Sequence, residues 1–392
     1  LAPGEVILRE GPVAVGPMAS NVDYVCFACL RLLPKMRKTG QYICSKCKVA
    51  PLCGKCCEVM KALRLVPDNE TTSLESLQRL CGILDVNSFE LRSPGGLDGV
   101  LLRGVYVEAS LMAHDCRGNT HLTVDDNFQL TVYASMPIQE NEAILFNYTS
   151  SLLGTSDRRE HLREGKYFEC ECSLCRDPYE MQAHMSSVLC PRCRKGYMGA
   201  SYSLDFHSTS RGTEFLIIFK GLEILVSKLS RSFHQNHSLI ISLKQKLLAA
   251  YRKEVAAVNP PKKIVQRMMD MCKDIYNVLE IVEPGISRLK GKAGIMLYEM
   301  HLPAVLLANR AYAAREISPS ELALRLEEAG SLLKKSLTML LLEPASTPEG
   351  KLAKRALQEL KALNQNVADV KTIASTTSQS PRSSHKKRSH KN

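Results

Sequence analysis

The pattern of hydrophobic and polar positions changes character near residue 213. Before that point, residues 122–124, 128–134 and 143–146 alternate apolar and polar side chains, as half-buried strands do. After it, apolar side chains recur every three or four residues, which is typical of amphipathic helices. These positions are Phe215, Ile218, Leu222, Leu225 and Leu229 in one stretch and Met268, Cys272, Ile275, Leu279 and Val282 in another. The pattern predicts an α+β fold class, with the strands in the first part and an all-α part over residues 213–370.

Turn-forming residues divide both parts. Gly11-Pro12 separates two β-branched runs in residues 1–17, which predicts two strands joined by a turn. Residues 155–166 are mostly polar and predict a polar helix leading into the cysteines that follow. In the second part, Pro260-Pro261, Pro284-Gly285 and Ser318-Pro319 mark helix ends, and Pro303 is expected to kink the helix that contains it.

The chain has 392 residues, 45% of them hydrophobic, enough for two or three domains with a sizeable core. No apolar run is long enough to span a membrane, and no signal peptide is evident. Of the net charge of +12, five charges come from residues 372–392, a Ser/Thr-rich stretch without acidic residues. Such a composition predicts a disordered basic tail. A role of this tail in nuclear import or nucleic-acid binding is the alternative.

The fifteen cysteines indicate a reducing compartment and metal sites rather than disulfides, because many of them form C-x2-C pairs. Cys116 is followed, after a folded segment, by Cys170, Cys172 and Cys175 in a C-x-C-x2-C motif. Four thiolates complete a tetrahedral zinc site. The alternative is a group of buried free thiols.

Two further regions contain paired cysteines. Residues 26–60 hold three closely spaced pairs, a strong indication of zinc. These pairs are Cys26 with Cys29, Cys44 with Cys47, and Cys53 with Cys57. Cys190-x2-Cys193 is a single pair that cannot saturate a tetrahedral zinc, and we do not assign a metal to it.

The stretch from His114-Asp115-Cys116 through Asn147-Tyr148 to the C-x-C-x2-C motif resembles the second half of a SET domain. The resemblance implies a SET core over 74–154, a post-SET cysteine region over 155–200, and two earlier SET strands in 1–17. It also implies that the post-SET cysteines share their zinc with Cys116.

The cysteine pairs of residues 26–60 resemble a MYND finger, the two-zinc module inserted in SET-and-MYND proteins. The resemblance implies a first site closed by Cys26, Cys29, Cys53 and Cys57, and a second begun by Cys44 and Cys47. The His-x3-Cys pair that completes the second site in the family is missing. Residues 213–370 would then form the TPR-like helical domain of that family.

This family transfers a methyl group from S-adenosylmethionine to protein lysines. The resemblance implies that Tyr148 supplies the hydroxyl at the methyl-transfer pore and that Asn87, His114 and Phe168 help hold the cofactor. The implied partners are histone or non-histone proteins and Pro-rich peptides at the MYND segment, in the cytoplasm or the nucleus. From the residues alone, Asn87 could merely cap a turn and His114 could be a core histidine.

Two departures from the family pattern affect the expected activity. Ala113 stands where the family has asparagine. The resulting sequence Ala-His-Asp-Cys is most similar to the arthropod branch of SET-and-MYND proteins. The chain also begins after the family's Gly-x-Gly loop, so we expect truncation there and in the MYND segment. We therefore expect weak or no cofactor binding, with a catalytically dead, zinc-containing adaptor of transcriptional regulation as the alternative function.

Overall fold

A computed structural model describes most of the chain. The described residues are 1–18, 25–26, 30–31, 33, 74–94, 101–199, 215–283, 285 and 292–378. Most of the predicted finger segment lies outside them, including Cys29, Cys44, Cys47, Cys53 and Cys57. Cys26 is described, and its side chain is buried.

The first part is built from small β-sheets, as the alternating pattern predicted. Strand bounds are β1 Val6–Glu10, β2 Ala14–Pro17, β3 Ser88–Arg92, β4 Leu101–Val105, β5 Ala113–His114, β6 Thr120–Val124, β7 Leu130–Ala134 and β8 Leu145–Phe146. One antiparallel sheet has the order β1-β7-β6 and another the order β2-β4-β3. Every second residue of β7 is buried, the burial period that a half-buried strand requires.

The short strands β5 and β8 pair in parallel, and this pairing positions the candidate site. Ala113 lies opposite Leu145 and His114 opposite Phe146. A third contact extends the pair, because the amide of Asp115 donates to the carbonyl of Phe146 over 3.2 Å. Residues on either side of His114 are thereby fixed beside the chain that leads to Tyr148.

Short helices and a hairpin surround this pair. Their bounds are α1 Leu74–Asn87, α2 Thr155–Lys166, α3 Ser173–Arg176, β9 Val188–Leu189 and β10 Tyr197–Met198. The predicted polar helix 155–166 is thus confirmed as α2. One face of this polar helix is buried, at Thr155, Arg158 and Leu162.

The second part is helical, as predicted. Its helices are α4 Phe215–Leu229, α5 Ser238–Val255, α6 Lys262–Val282, α7 Lys292–Ala313, α8 Pro319–Leu340 and α9 Pro348–Ser378. The apolar stripe of α6 is buried at every predicted position. In α4 the prediction is wrong for Leu225, which is 40% exposed, whereas Val226 is buried. Helix α7 continues through Pro303 without a break.

One of the hydrophobic cores is built from both parts. Cys116, Cys170 and Cys175 belong to the same buried cluster as residues of α5 and α6, such as Ile240 and Ile275. Removal of this apolar surface from water stabilises both parts together. The cysteine motif is therefore packed against the helices.

The boundary predicted for the disordered tail is wrong, because α9 runs through Thr372 to Ser378. Contacts of the preceding turns favour this continuation. Val370 packs against the core formed by α8 and α9, and Lys371 pairs with Glu327 over 2.5 Å. The Ser/Thr-rich composition alone did not predict that the helix continues beyond residue 372. Within the described part of the chain, no helix is long and apolar enough to cross a membrane.

Candidate functional site

Four cysteine side chains converge beside the β5–β8 pair. The sulfur atoms of Cys116, Cys170, Cys172 and Cys175 all lie within 4.8 Å of one another. The Sγ of Cys116 is 3.5 Å from that of Cys175 and 3.9 Å from that of Cys170. Three of the four residues are buried and Cys172 is partly exposed. The structure thus brings together the four ligands that the sequence predicted for one site; below they are called the four-cysteine cluster.

The donor set and its spacing fit zinc. A tetrahedral zinc with sulfur ligands at about 2.3 Å places the sulfurs about 3.8 Å apart. Hydrogen bonds with Cys116 and Cys170 lower the pKa of Cys175 to about 7, whereas those with its three neighbours raise the pKa of Cys116. Four thiolates this close repel one another, and a bound cation would relieve the repulsion.

A buried arginine lies against the four-cysteine cluster. Arg158 of α2 is fully buried, and its Nη2 is 3.5 Å from the Sγ of Cys175. Its guanidinium also donates to the carbonyl of Leu153 and the hydroxyl of Thr155 and lies 3.5 Å from the buried carboxylate of Glu180. A zinc with four thiolates carries a net charge of −2, which a neighbouring guanidinium partly offsets.

The next residue, Arg159, fixes the backbone of the cysteine motif. Its Nε donates to the carbonyl of Cys170 over 3.2 Å, and its Nη2 to the carbonyl of Cys175 over 3.1 Å. One helix therefore holds both ends of the C-x-C-x2-C motif. Outer contacts of this kind orient metal ligands.

His114 connects the four-cysteine cluster to Tyr148. The backbone amide of Tyr148 donates to His114 Nδ1 over 3.0 Å, so this nitrogen is unprotonated. The other ring nitrogen, Nε2, then carries the hydrogen and lies 3.4 Å from the Sγ of Cys116. Burial lowers the pKa of His114 to about 4, which keeps the ring neutral at physiological pH.

Tyr148 has a fixed hydroxyl. The phenol donates a short hydrogen bond to the backbone carbonyl of Met112. Since a hydroxyl has one hydrogen, the oxygen can act toward the cavity only as an acceptor. Burial raises the pKa of Tyr148, so the phenol stays protonated.

The segment after β8 is tied to both parts of the molecule. Asn147 Nδ2 donates to the carbonyl of Cys116 over 3.0 Å and to the hydroxyl of Ser151 over 2.7 Å. Ser151 in turn donates to Glu283, which follows α6. The helical part thus contributes a buried carboxylate to the frame that positions Tyr148.

A cavity of about 1030 Å³ opens beside these residues. Asn87, His114, Tyr148 and Phe168, predicted separately from distant stretches, all line it. The rings of His114 and Tyr148 have centroids 5.1 Å apart, and those of His114 and Phe168 are 5.7 Å apart. The structure therefore brings the four predicted cofactor residues to one cavity.

Asn87 and Phe168 occupy different kinds of position on that wall. Asn87 ends α1, and its Nδ2 donates to the carbonyl of Ile83 over 3.1 Å. Its amide therefore has the local helix-end role that sequence reasoning left open, and it also borders the cavity. Phe168 is 36% exposed, with its ring beside His114.

Sequence reasoning missed Arg158, Glu180 and Lys166. Arg158 was read only as part of a polar helix, although its i, i+3 and i+7 spacing with Thr155 and Leu162 indicates one helix face. Nothing in the sequence pattern marks Glu180 as buried, since its partner Thr155 lies 25 residues before it and the contact with Ser186 depends on how the intervening loop folds. Lys166, the last residue of α2, lines the cavity and was not singled out.

Cys190 and Cys193 lie outside this site. They lie in the connection between β9 and β10, where the amide of Arg194 donates to the carbonyl of Cys190 over 2.9 Å. Backbone amides of Lys195 and Gly196 lower the pKa of Cys193. Among the described residues, the four-cysteine cluster is the only group of three or more potential metal ligands that converge.

The chain was compared with known proteins, and no family model matches it. It is 28% identical over 133 residues to the SET domain-containing protein SmydA-8, isoform A, of Drosophila melanogaster, which covers 34% of this chain and 29% of that protein. It is 26% identical over 121 residues to histone-lysine N-methyltransferase Smyd1 of Mus musculus, covering 28% and 24% respectively. For histone-lysine N-methyltransferase SET5 of Candida glabrata, the identity is 28% over 120 residues, covering 31% and 21%.

The chain therefore spans less than a third of the length of the curated relatives it matches. These homologues confirm the predicted resemblance to SET-domain proteins of the SET-and-MYND type. The Drosophila relative agrees with the predicted similarity to the arthropod branch. Together with the observed architecture, these homologues confirm the general fold class that was predicted, a mixed α and β part followed by a helical part.

Proposed function

We propose that this chain is an S-adenosylmethionine-dependent protein-lysine methyltransferase whose active site is the cavity beside the four-cysteine cluster. The observation that carries the proposal is the position of Tyr148. Its neutral phenol is fixed by Met112, its side chain lines the cavity, and its backbone amide is linked through His114 to Cys116. Two relatives bear the name histone-lysine N-methyltransferase, which supports the same reaction class.

The residues of the cavity suit methyl transfer. S-adenosylmethionine, when bound, supplies a methyl group on a positively charged sulfur. Tyr148 presents an oxygen acceptor that favours positive charge close to it, and its hydrogen bond to Met112 fixes that oxygen before the reaction. Asn87, His114 and Phe168 would hold the cofactor, with the Phe168 ring available for stacking on a base.

The metals we propose are structural zincs. Cys116, Cys170, Cys172 and Cys175 would hold one zinc, with Arg158 and His114 around it. A second zinc in the finger-like segment would bind Cys26 together with Cys29, Cys53 and Cys57, and Cys44 and Cys47 would contribute to a further site. Of these finger ligands, only Cys26 is among the described residues.

The proposed substrates are lysine side chains of histones or other proteins, and the finger-like segment would bind Pro-rich peptides. With these partners, the chain would act in the nucleus or the cytoplasm. Nucleic acid would be contacted only through the basic residues near the end of the chain. A site that accepts lysine must exclude water and align the amine with the methyl group.

A second candidate function is that of a catalytically inactive zinc-containing adaptor. It is favoured by Ala113, which follows Met112 and borders the cavity with an exposed methyl group in place of an amide. Such a protein would retain zinc and its fold and would bind partner peptides without binding the cofactor.

The test is a pair of tyrosine variants measured for methyl transfer to core histones and for cofactor affinity. Tyr148→Phe should lower turnover about a hundredfold while changing cofactor affinity less, because the lost oxygen acts mainly in the transition state. Tyr179→Phe, whose exposed hydroxyl makes only a 3.4 Å contact with the Tyr197 carbonyl, is the matched control. Absence of cofactor binding by the unaltered chain, with zinc and fold intact, would favour the adaptor instead.

A further inference from the structure

Lys166 extends its side chain into the proposed active site. It is the last residue of α2, and Tyr167 after it adopts a left-handed backbone conformation (φ 61°) that ends the helix. The ammonium lies over the ring of Tyr148, with Nζ 5.3 Å from the ring centroid. It also donates a short hydrogen bond to the backbone carbonyl of Val86, at the end of α1. The side chain thus bridges two walls of the cavity.

The ring face of Tyr148 and the carbonyl of Val86 are the kinds of group that bind an alkylammonium ion in a cavity. An aromatic face attracts a cation, and a carbonyl oxygen accepts one of its hydrogens. The surroundings do not favour an extra charge there, because burial and the nearby positive charge of Arg103 lower the pKa of Lys166. A lysine amine is therefore held, half-buried, against the side chain proposed to serve methyl transfer.

We propose that the Lys166 ammonium occupies the place where the ε-amine of a target lysine would bind. The inference rests on the proposed function and adds to it a determinant of substrate access. A target lysine has the same four-carbon stem and the same charge as Lys166, so it would seek the same ring face and carbonyl. Two ammonium ions cannot share that place, because like charges at short range repel each other.

An incoming lysine must therefore displace Lys166, and the position of Lys166 makes displacement feasible. Its stem has four rotatable bonds, and the residues on both sides leave room for movement. A side-chain atom added at Gly165 would meet nothing within 4 Å, and Tyr167 is 76% exposed. Swinging outward would return the Lys166 ammonium to water and expose the ring of Tyr148.

The test uses Nα-acetyl-lysine amide as the probe and measures its affinity for the full chain by titration calorimetry, without cofactor. Lys166→Ala should bind the probe about tenfold more tightly than the unaltered chain, since the competing cation is gone. Lys166→Arg keeps a cation near the ring and should remain weak. Lys195→Ala, which removes an exposed lysine in the β9–β10 turn, should bind like the unaltered chain.

A second readout follows the amine itself. With a lysine-acylating reagent in large excess over the probe amine, Lys166 should react at least several-fold more slowly than Lys195 despite its lowered pKa, because its half-buried Nζ is held by the Val86 carbonyl, and millimolar probe should accelerate only Lys166. Equal affinities of the unaltered chain and Lys166→Ala, no probe binding by either, or equal acylation rates of Lys166 and Lys195 would each overturn the inference. Both readouts are made without S-adenosylmethionine. Failure of the cofactor to bind would therefore contradict the proposed function and is distinguishable from failure of this inference.

Discussion

Two cysteine motifs of this chain look alike in sequence and differ in the folded molecule. The motif of Cys170, Cys172 and Cys175 meets Cys116, which lies 54 residues before Cys170, and their sulfurs converge. The pair Cys190 and Cys193 stays on the β9–β10 hairpin, where Cys193 is exposed and no third ligand joins the pair among the described residues. The difference between a candidate metal site and a pair of thiols therefore depends on a fourth cysteine that the fold brings in from elsewhere in the chain. The local spacing of the cysteines does not determine it.

The two regions are also stabilised differently. The four-cysteine cluster packs against the buried charge of Arg158 and against the core of the helices. The hairpin is held by rings: His234 lies with its centroid 4.6 Å from that of Tyr197 and stacks on His184 at 4.4 Å. The amide of Leu189 also donates to the carbonyl of Ser232 over 2.7 Å. Metal removal should therefore affect the first region and leave the second unchanged.

The largest expected effect comes from comparing Cys116→Ser with Cys193→Ser. The first should lose one zinc per chain and several kcal/mol of stability, since a structural zinc contributes on the order of 10 kcal/mol to folding. The second should change neither. Metal analysis by mass spectrometry and thermal unfolding of both variants provide the measurement. Equal losses in the two variants would mean that the hairpin pair also binds zinc.

The buried arginine provides the next test. Arg158→Leu should lower the free energy of unfolding by about 3 kcal/mol, because it leaves Glu180 and the thiolates without their buried cation. Arg176→Leu removes an exposed pair with Glu171 and should cost less than about 0.5 kcal/mol. Denaturant unfolding of the zinc-loaded proteins measures both. A small loss for Arg158→Leu would show that the cluster does not need this charge.

A smaller effect is expected from pH on the region around the hairpin. Burial, together with the charges of His184 and Lys244, lowers the pKa of His234 to about 4, and burial lowers that of His237 to about 4 as well. Between pH 6.5 and 4 the unfolded chain therefore takes up protons that the folded chain does not. Stability should be full above pH 6.5 and fall by about 1–2 kcal/mol toward pH 4.

His234→Gln and His237→Asn together should reduce that dependence and leave the part contributed by His114, whose pKa burial also lowers to about 4. Asparagine at position 237 retains an acceptor for the amide of Leu239, so the start of α5 stays capped. Unfolding free energies at several pH values compare the double variant with the unaltered chain. An unchanged slope in the variant would assign the pH dependence to other groups.

Local patterns predicted much of this molecule from sequence. The stripe of α6, the strands around β7, the polar helix α2 and the four cysteines all follow from spacing and residue type. Long-range contacts decided the rest. Leu225 has the right spacing for a core position but faces solvent, and α9 continues past Thr372.

The candidate site likewise combines features that local sequence predicts with features that depend on long-range contacts. His114 was identified by its place beside Cys116, whereas its link from the Cys116 sulfur to the Tyr148 amide depends on the pairing of β5 with β8. Lys166 looks like any lysine at a helix end. Its position over Tyr148 depends on how α2 packs beside the end of α1. Such positions require the three-dimensional arrangement.

We propose that the cavity binds S-adenosylmethionine and that the four-cysteine cluster shapes its wall through His114. The most direct measurement is calorimetric titration of S-adenosylmethionine into zinc-loaded protein and into the same protein after chelation. Circular dichroism would verify that the helices remain folded after chelation. We expect weak but measurable binding to the loaded protein and at least a tenfold weaker affinity once zinc is removed. Equal affinity in the two samples, or no binding to the loaded protein, would contradict it.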